Sequence, residues 1–246
     1  MGIFLFLNIA LSFRFEKRIL GAVFRITEYS LHSQIKNWYS ILGDEVEVKV
    51  DDYIVDIMRG NILIEIQTRN FSAIKKKLVN LLVSRKVRLV YPIAKLKWIL
   101  CKSSQGEIIR KRRSPKKGHL FDIFNELVYV ADLFNQGNFS FEVLFIEEEE
   151  IRCNDGKGSW RRKGISIKDR KLLEVFNQVL FNSRKDFLKF LPTDLENPFT
   201  NRILARKLGI SVRVARRMTY SLRKMNILAI TKNKKRELFF KIRNNV

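Results

Sequence analysis

The chain is poor in the residues that build covalent or metal-based scaffolds. Its two cysteines, Cys101 and Cys153, cannot make a disulfide framework or a zinc set. A reducing cytoplasm is the expected setting. Two histidines, His32 and His119, are too few for histidine-based metal chemistry. A membrane span takes about 20 apolar residues, and none of that length is present. The apolar start MGIFLFLNIALSF has no basic residue before it and no small-residue cleavage site after it, so a signal peptide is only weakly supported. Residues 1–24 read instead as a poorly structured or mis-assigned N-terminal extension. Acidic residues are scarce too: 25 against 48 Lys and Arg, a formal net charge of +23. That excess calls for a polyanionic partner. Together with the motifs below, the charge makes nucleic acid the expected one, ahead of an anionic membrane surface or a charge that only aids solubility.

The 246 residues, 46% of them apolar, can bury a core and allow one large domain or two small ones. The most informative stretch is EVEVKVDDYIVDIMRGNILIEIQ, residues 45–67, which alternates as strands do around two turn pairs, Asp51–Asp52 and Gly60–Asn61. A two-residue loop at Gly60–Asn61 sets Ile57 opposite Ile64 and Asp56 opposite Glu65. One at Asp51–Asp52 sets Val48 opposite Val55 and Glu47 opposite Asp56. Both turns then give the same sorting. Val46, Val48, Val50, Val55, Ile57, Ile62, Ile64 and Ile66 share one face, which must be core. Glu47, Asp56 and Glu65 fall in a row on the other, among Lys49, Ile54, Met58, Leu63 and Gln67. Like charges directly opposite repel, and a divalent cation would reverse the sign of that cost. Asp56, Glu65 and Glu47 are therefore the candidate metal ligands, with Mg²⁺ or Mn²⁺ as the ion. The plainer alternative is a solvated face where the acids pair with lysines.

Before this hairpin, Leu31, Ile35, Trp38 and Leu42 mark one face of a helix ended by Gly43–Asp44. After it, Ile74, Leu78, Leu81 and Leu82 mark another, with Ser72 as its cap. VRLVYPI reads as a buried strand, and KWILCK and EIIRK as two more around SSQG. RKRRSPKKG reads as a basic loop, either a solvated linker or a phosphate contact. LFDIFNELVYVADLF reads as a helix, FSFEVLFI as a strand, Glu147–Glu150 as its solvated end, and NDGKGSWRRKG as a hairpin loop. KDRKLLEVFNQVLF and SRKDFLKFL read as amphipathic helices.

The C-terminal segment has a sharper signature. Thr200 can cap a helix carrying Ile203, Leu204 and Leu208 inward, with Ala205 where two helices cross. Gly209 can take the positive φ of a turn. Ser211 can cap a second helix with Val212, Ala215, Leu222 and Met225 inward. This is a helix-turn-helix pattern, and ILAIT–KNKK–RELFFKI can supply the hairpin of a winged helix. The outer face of the second helix carries Arg213, Arg216, Arg217, Tyr220, Arg223 and Lys224, and from Asn197 onward Glu237 is the only acid. Ser211, Arg213, Arg216, Arg217, Tyr220, Lys234 and Lys235 are the candidate DNA contacts. Packing or dimerisation is the alternative use of such a module.

Residues Arg25 to about Ile99, read as helix, three-stranded meander, helix and strand, resemble the PD-(D/E)XK (restriction-endonuclease-like) superfamily. Asp56 on the second strand and Glu65-Ile66-Gln67 on the third match its aspartate and acid-x-lysine. Glu28 matches the extra glutamate that Holliday-junction-resolvase-like members carry on the first helix. The whole chain, with EIQTRNFSAIKKKL and its winged-helix tail, also looks like an uncharacterised prokaryotic family. The superfamily resemblance implies an α/β (α+β) fold with an αβββαβ core, here over residues 25–152, and the C-terminal pattern adds a helical linker and winged helix over 153–246. It implies Mg²⁺-dependent cleavage of double-stranded or branched DNA, with Asp56, Glu65, Gln67 and Glu28 catalytic and a homodimer if both strands are cut. The departure is Gln67, where lysine is usual; Lys49 or Lys75 is the candidate replacement for its charge. A DNA-binding protein without catalysis on the same fold is the rival expectation, and an RNA-directed protein a more distant one.

Overall fold

The structure is a computed structural model and describes residues 31–234 and 237–243. The expected N-terminal extension, Glu28 and Lys235 lie outside the described residues, and Lys234 is described by its backbone alone. The fold is mixed α/β with one large mixed sheet. The chain runs α1 (Leu31–Tyr39), β1 (Glu45–Val50), β2 (Tyr53–Arg59), β3 (Ile62–Ile66), α2 (Phe71–Leu81) and β4 (Lys86–Lys102). Both turn pairs form where expected, with Asp51 at φ 52° and Gly60 at φ 57°. Positive φ matches the turn twist to that of the strands. The pairs Val48–Val55 and Ile57–Ile64 follow. β3 then runs parallel to β4, with α2 as the crossover.

The sheet continues through β5 (Ile108–Arg113), β6 (Phe139–Asn154) and β7 (Ile165–Phe181), in the order β1-β2-β3-β4-β6-β7 with β5 against the distal half of β4. It therefore runs past the expected boundary at residue 152. Both its faces are covered. Leu31, Ile35 and Tyr39 of α1 pack with Ile57, Ile64, Ile66, Val90, Leu144 and Ile146. Phe71, Leu78 and Leu81 of α2 pack with Val55, Leu63, Leu89, Phe141 and Val143. The expected single apolar face is thus corrected: Val50 and Val55 lie with the α2-side core, Ile57, Ile62, Ile64 and Ile66 with the α1-side core, and Val46 is exposed, because the β3–β4 crossover lays α2 on one side of the sheet while α1 covers the other.

Other readings change as well. The segment read as the helix KDRKLLEVFNQVLF is β7, antiparallel to β6. Its register skips Lys168, Leu173 and Phe176, and these bulges break strict alternation and imitate a helical spacing. Pairing along β6 satisfies the backbone and overrides the local pattern. The segment LFDIFNELVYVADLF is not one helix. It forms a 3-10 turn at Leu120–Ile123, a single turn α3 (Phe124–Leu127) and a second 3-10 stretch at Ala131–Gln136. Ile123, Phe124, Leu127, Val130, Ala131, Leu133 and Phe134 are buried, so no single apolar stripe selects a straight helix. SRKDFLKFL is a 3-10 stretch, Arg184–Phe190. α1 ends at Tyr39, leaving Trp38 and Leu42 exposed. The position before α2 is Asn70 in the left-handed region rather than a Ser72 cap, and the Glu126 carboxylate accepts from Phe71 N at 2.9 Å. Glu148, Glu149 and Glu150 are buried inside β6, not solvated. Lys97 meets Glu148 at 2.6 Å, Lys111 meets Glu149 at 2.8 Å and Arg152 meets Glu150 at 2.6 Å.

The C-terminal part has α4 (Asn201–Leu208), α5 (Val212–Lys224) and a small antiparallel sheet, β8-β10-β9, from Phe199–Thr200, Glu237–Ile242 and Leu228–Lys234. Thr200 caps α4, Gly209 turns at φ 62° and Ser211 caps α5, each as the sequence predicts. Leu204, Ala215, Met218 and Leu222 join the α2-side core. Asn135 Nδ2 donates to Lys224 O at 2.8 Å, and Arg217 donates to Asn125 Oδ1. The helices are therefore docked against the 120–136 segment.

Candidate active site

Asp56 lies on β2 and Glu65 on β3, and the Asp56 carboxylate is close enough to raise the cost of ionising Glu65. Asp56 Oδ2 accepts from Ile66 N at 2.8 Å and faces His32 Nε2, from α1, at 3.1 Å. Burial works against its charge, but the His32 and Ile66 hydrogen bonds outweigh burial and hold Asp56 below the usual carboxylate range. In return the bond to Asp56 raises His32 above its ordinary value, against burial. Glu65 goes the other way. Burial first, then Asp56, push it up to about 7. Its Oε1 accepts from Lys77 Nζ of α2 at 2.6 Å, while its Oε2 is buried with no hydrogen-bond partner. Two neighbouring carboxyls thus have opposite protonation preferences, the arrangement that marks functional sites.

Asp56 and Glu65 come together as expected, but Glu47 does not join them. Its backbone turns to φ 56° and its exposed carboxylate pairs with Lys36 of α1. Among the described residues no group of three or more His, Cys, Asp and Glu side chains is arranged to hold a metal ion. Gln67 turns its amide to Arg69 O at 2.5 Å. Lys75 is paired with Asp132 at 2.8 Å and Lys49 is exposed. The cation beside Glu65 is instead Lys77, which also donates to Ile54 O at 2.6 Å. Sequence reasoning missed Lys77 and His32. Both had a signal: Lys77 is three residues after the inward Ile74, and His32 is three residues before the inward Ile35.

From His32 the surface continues along a groove of about 270 Å³ lined by Thr68, Arg69, Lys168, Asp169 and Arg170. On α5, Arg213, Arg216 and Tyr220 are exposed. Arg216 and Tyr220 line a second groove of about 620 Å³ with Arg202, Arg223 and Glu237. Ser211 spends its hydroxyl on the α5 cap. Arg217 is half-buried on Asn125 and does not reach the open face.

Residues 29–182 match the model of a family described as a domain of unknown function, DUF8091. The chain belongs to this family. The DUF8091 region holds α1, the large sheet, Asp56, Glu65, His32 and Lys77, and it ends one residue after β7, before α4 and α5. The chain is also 31% identical over 192 residues to an uncharacterized protein of Treponema pallidum (strain Nichols), covering 77% of this chain and 76% of that one. No solved structure matches. Among the described residues, no helix is long and apolar enough to cross a membrane.

Proposed function

We propose that the protein is a metal-dependent DNA endonuclease of PD-(D/E)XK type, with α1, β1–β3, α2 and β4 as its αβββαβ core and α4, α5, β9 and β10 as a DNA-holding winged helix. The observation that carries this reading is the buried, partnerless Glu65 Oε2 beside a charged Asp56. An orphaned buried carboxyl oxygen costs about 1–3 kcal/mol, and a divalent cation there would remove the cost. The donor set fits Mg²⁺ or Mn²⁺, which bind through one or two carboxylates and keep waters. Asp56 and Glu65 would hold the ion. When bound, it lowers the pKa of a water and balances charge on the transferring phosphate. His32 keeps Asp56 ionised and oriented. Lys77 supplies the positive charge that Gln67 lacks, next to Glu65. The net charge of +23 and the exposed arginines of α5 favour a phosphodiester polyanion as substrate.

A second reading, DNA binding without cleavage, is favoured by the same two cations. His32 and Lys77 already partner the carboxylates and could stand permanently where a metal would be. Supercoiled plasmid and branched DNA, incubated with Mg²⁺, with Mn²⁺ or with chelator, separate the two. Cleavage that needs metal and is lost in Asp56→Ala, with DNA affinity kept, is the expected result. Cleavage by Asp56→Ala would refute the site. Binding by the native protein without cleavage would select the second reading.

A further inference from the structure

The distal half of the large sheet leaves the hydrophobic core as an arm. Lys102, at the end of β4, pairs with Ile108 of β5 on one side and with Cys153 of β6 on the other. The β4–β5 turn and the β6–β7 loop therefore lie side by side at one end. Lys168, which lines the groove beside His32, pairs with Asp155 at the foot of the β6–β7 loop, so that groove runs up to the arm's end. Ion pairs from Lys97, Lys111, Arg152 and Arg170 to the buried Glu148–Glu150 tie the strands of the arm together.

The loop at the tip, residues 155–164, has a defined shape. Gly158 N donates to Gly164 O at 2.7 Å, Lys163 N to Trp160 O at 3.0 Å and Arg162 N to Ser159 O at 2.9 Å. A Cβ on Gly158 would stand 1.9 Å from Ile165 O, so only glycine allows the crossing. Asp155, the only acid of the loop, is turned inward: it accepts from Lys157 N at 3.1 Å and Ser166 Oγ at 2.9 Å and pairs with Lys168 at 2.7 Å. What remains outward is Trp160, 82% exposed, with Lys157, Arg161, Arg162 and Lys163 around it. Arg161 lies 5.4 Å from the centroid of the Trp160 ring.

A soluble fold exposes a tryptophan this fully at the cost of its largest apolar surface, and the four cations say what would cover it. We propose that the β6–β7 tip is a DNA contact in which Trp160 stacks on an unpaired base while Lys157, Arg161, Arg162 and Lys163 meet the flanking phosphates. In a continuous duplex each base face is covered by its neighbour and a side chain can enter only by unstacking a step, so a gap, a branch or a single strand is the favoured partner. A membrane surface fits less well: the other exposed apolar side chains at this end, Ile108 and Ile109 of β5, are consecutive in a strand and point to opposite faces of the sheet, so they and Trp160 form no single apolar face for insertion. The proposal rests on the DNA reading above and narrows its substrate to DNA with unpaired bases.

The test is fluorescence anisotropy of the full chain, at one salt concentration, with a blunt duplex, the same duplex carrying a central gap, a single strand of DNA, and the matching RNA strand. Trp160→Ala should lose affinity for gapped and single-stranded DNA by about ten-fold or more, and for the blunt duplex by less than about two-fold. Trp160→Phe should keep most of the affinity and also shows that the fold is intact. Unchanged binding of gapped DNA by Trp160→Ala, with the native protein still binding the blunt duplex, would overturn the tip contact and leave the DNA reading standing. No binding of any DNA by the native protein would overturn both. A preference for the RNA strand, or a Trp160-dependent affinity found only on anionic phospholipid vesicles, would overturn the DNA assignment of the tip.

Discussion

Replacing Glu65 by glutamine tests the electrostatics of the candidate site without reference to any activity. Glu65 titrates near 7 in the folded protein, against an ordinary 4.5, because it is buried beside Asp56. That difference corresponds to about 3 kcal/mol. Since the folded-state value is the higher one, the folded protein holds the proton more tightly than the unfolded chain. The contribution to stability is full below pH 4.5 and is lost as pH rises towards and through 7. Glutamine has the shape of the protonated acid and does not ionise. Lys77 keeps the Ile54 carbonyl at 2.6 Å in either protein. Glu65→Gln should therefore match or fall slightly below the native protein at pH 4.5, and its advantage should then grow by about 3 kcal/mol by pH 8. Urea denaturation of both proteins between pH 4.5 and 8 in chelator measures this directly. Adding Mg²⁺ at pH 8 should raise the native protein's midpoint and leave that of Glu65→Gln unmoved. Parallel stability curves over the whole range would refute the assignment of a buried, reluctant carboxyl to Glu65.

Two further expectations concern the DNA face and the core. Arg213→Ala and Arg216→Ala each remove an exposed guanidinium from α5, so each should lower the slope of log affinity against log salt by about 1, measured by titration of a blunt duplex. An unaltered slope in both would take α5 off the DNA. Phe187→Ala should cost about 3–5 kcal/mol in chemical denaturation. Phe187 is fully buried, with ring centroids 4.5 Å from Phe181, 4.9 Å from Phe134 and 6.0 Å from Phe190. A loss under about 1 kcal/mol would mean that this cluster is not the packed centre it looks to be.

Much of this protein was legible where local rules act alone. The turn pairs at Asp51–Asp52 and Gly60–Asn61 specify the register of β1–β3, because a two-residue loop fixes which residues face each other across it. Thr200, Gly209 and Ser211 specify both ends of the α4–α5 turn, because caps and positive φ depend only on neighbouring backbone. The closeness of Asp56 and Glu65 followed from the same register. The charge excess followed from composition.

Other features depended on distant parts of the chain. The strand β7 looks helical by itself, since its bulges disguise the alternation, and only the long open edge of β6 makes it a strand. Glu148–Glu150 look solvated until Lys97, Lys111 and Arg152 are brought to them from other strands or along the same one. The carboxylate row fell short of three because α1 delivers Lys36 to Glu47. What composition, turn chemistry and capping determined by themselves is a basic chain with a carboxylate-bearing meander and a capped helix pair. What only the tertiary structure decided is which cations face those carboxylates: His32 from α1 and Lys77 from α2 arrive from opposite faces of the sheet, and no pattern within β2 or β3 encodes a partner that packing alone brings within hydrogen-bonding distance.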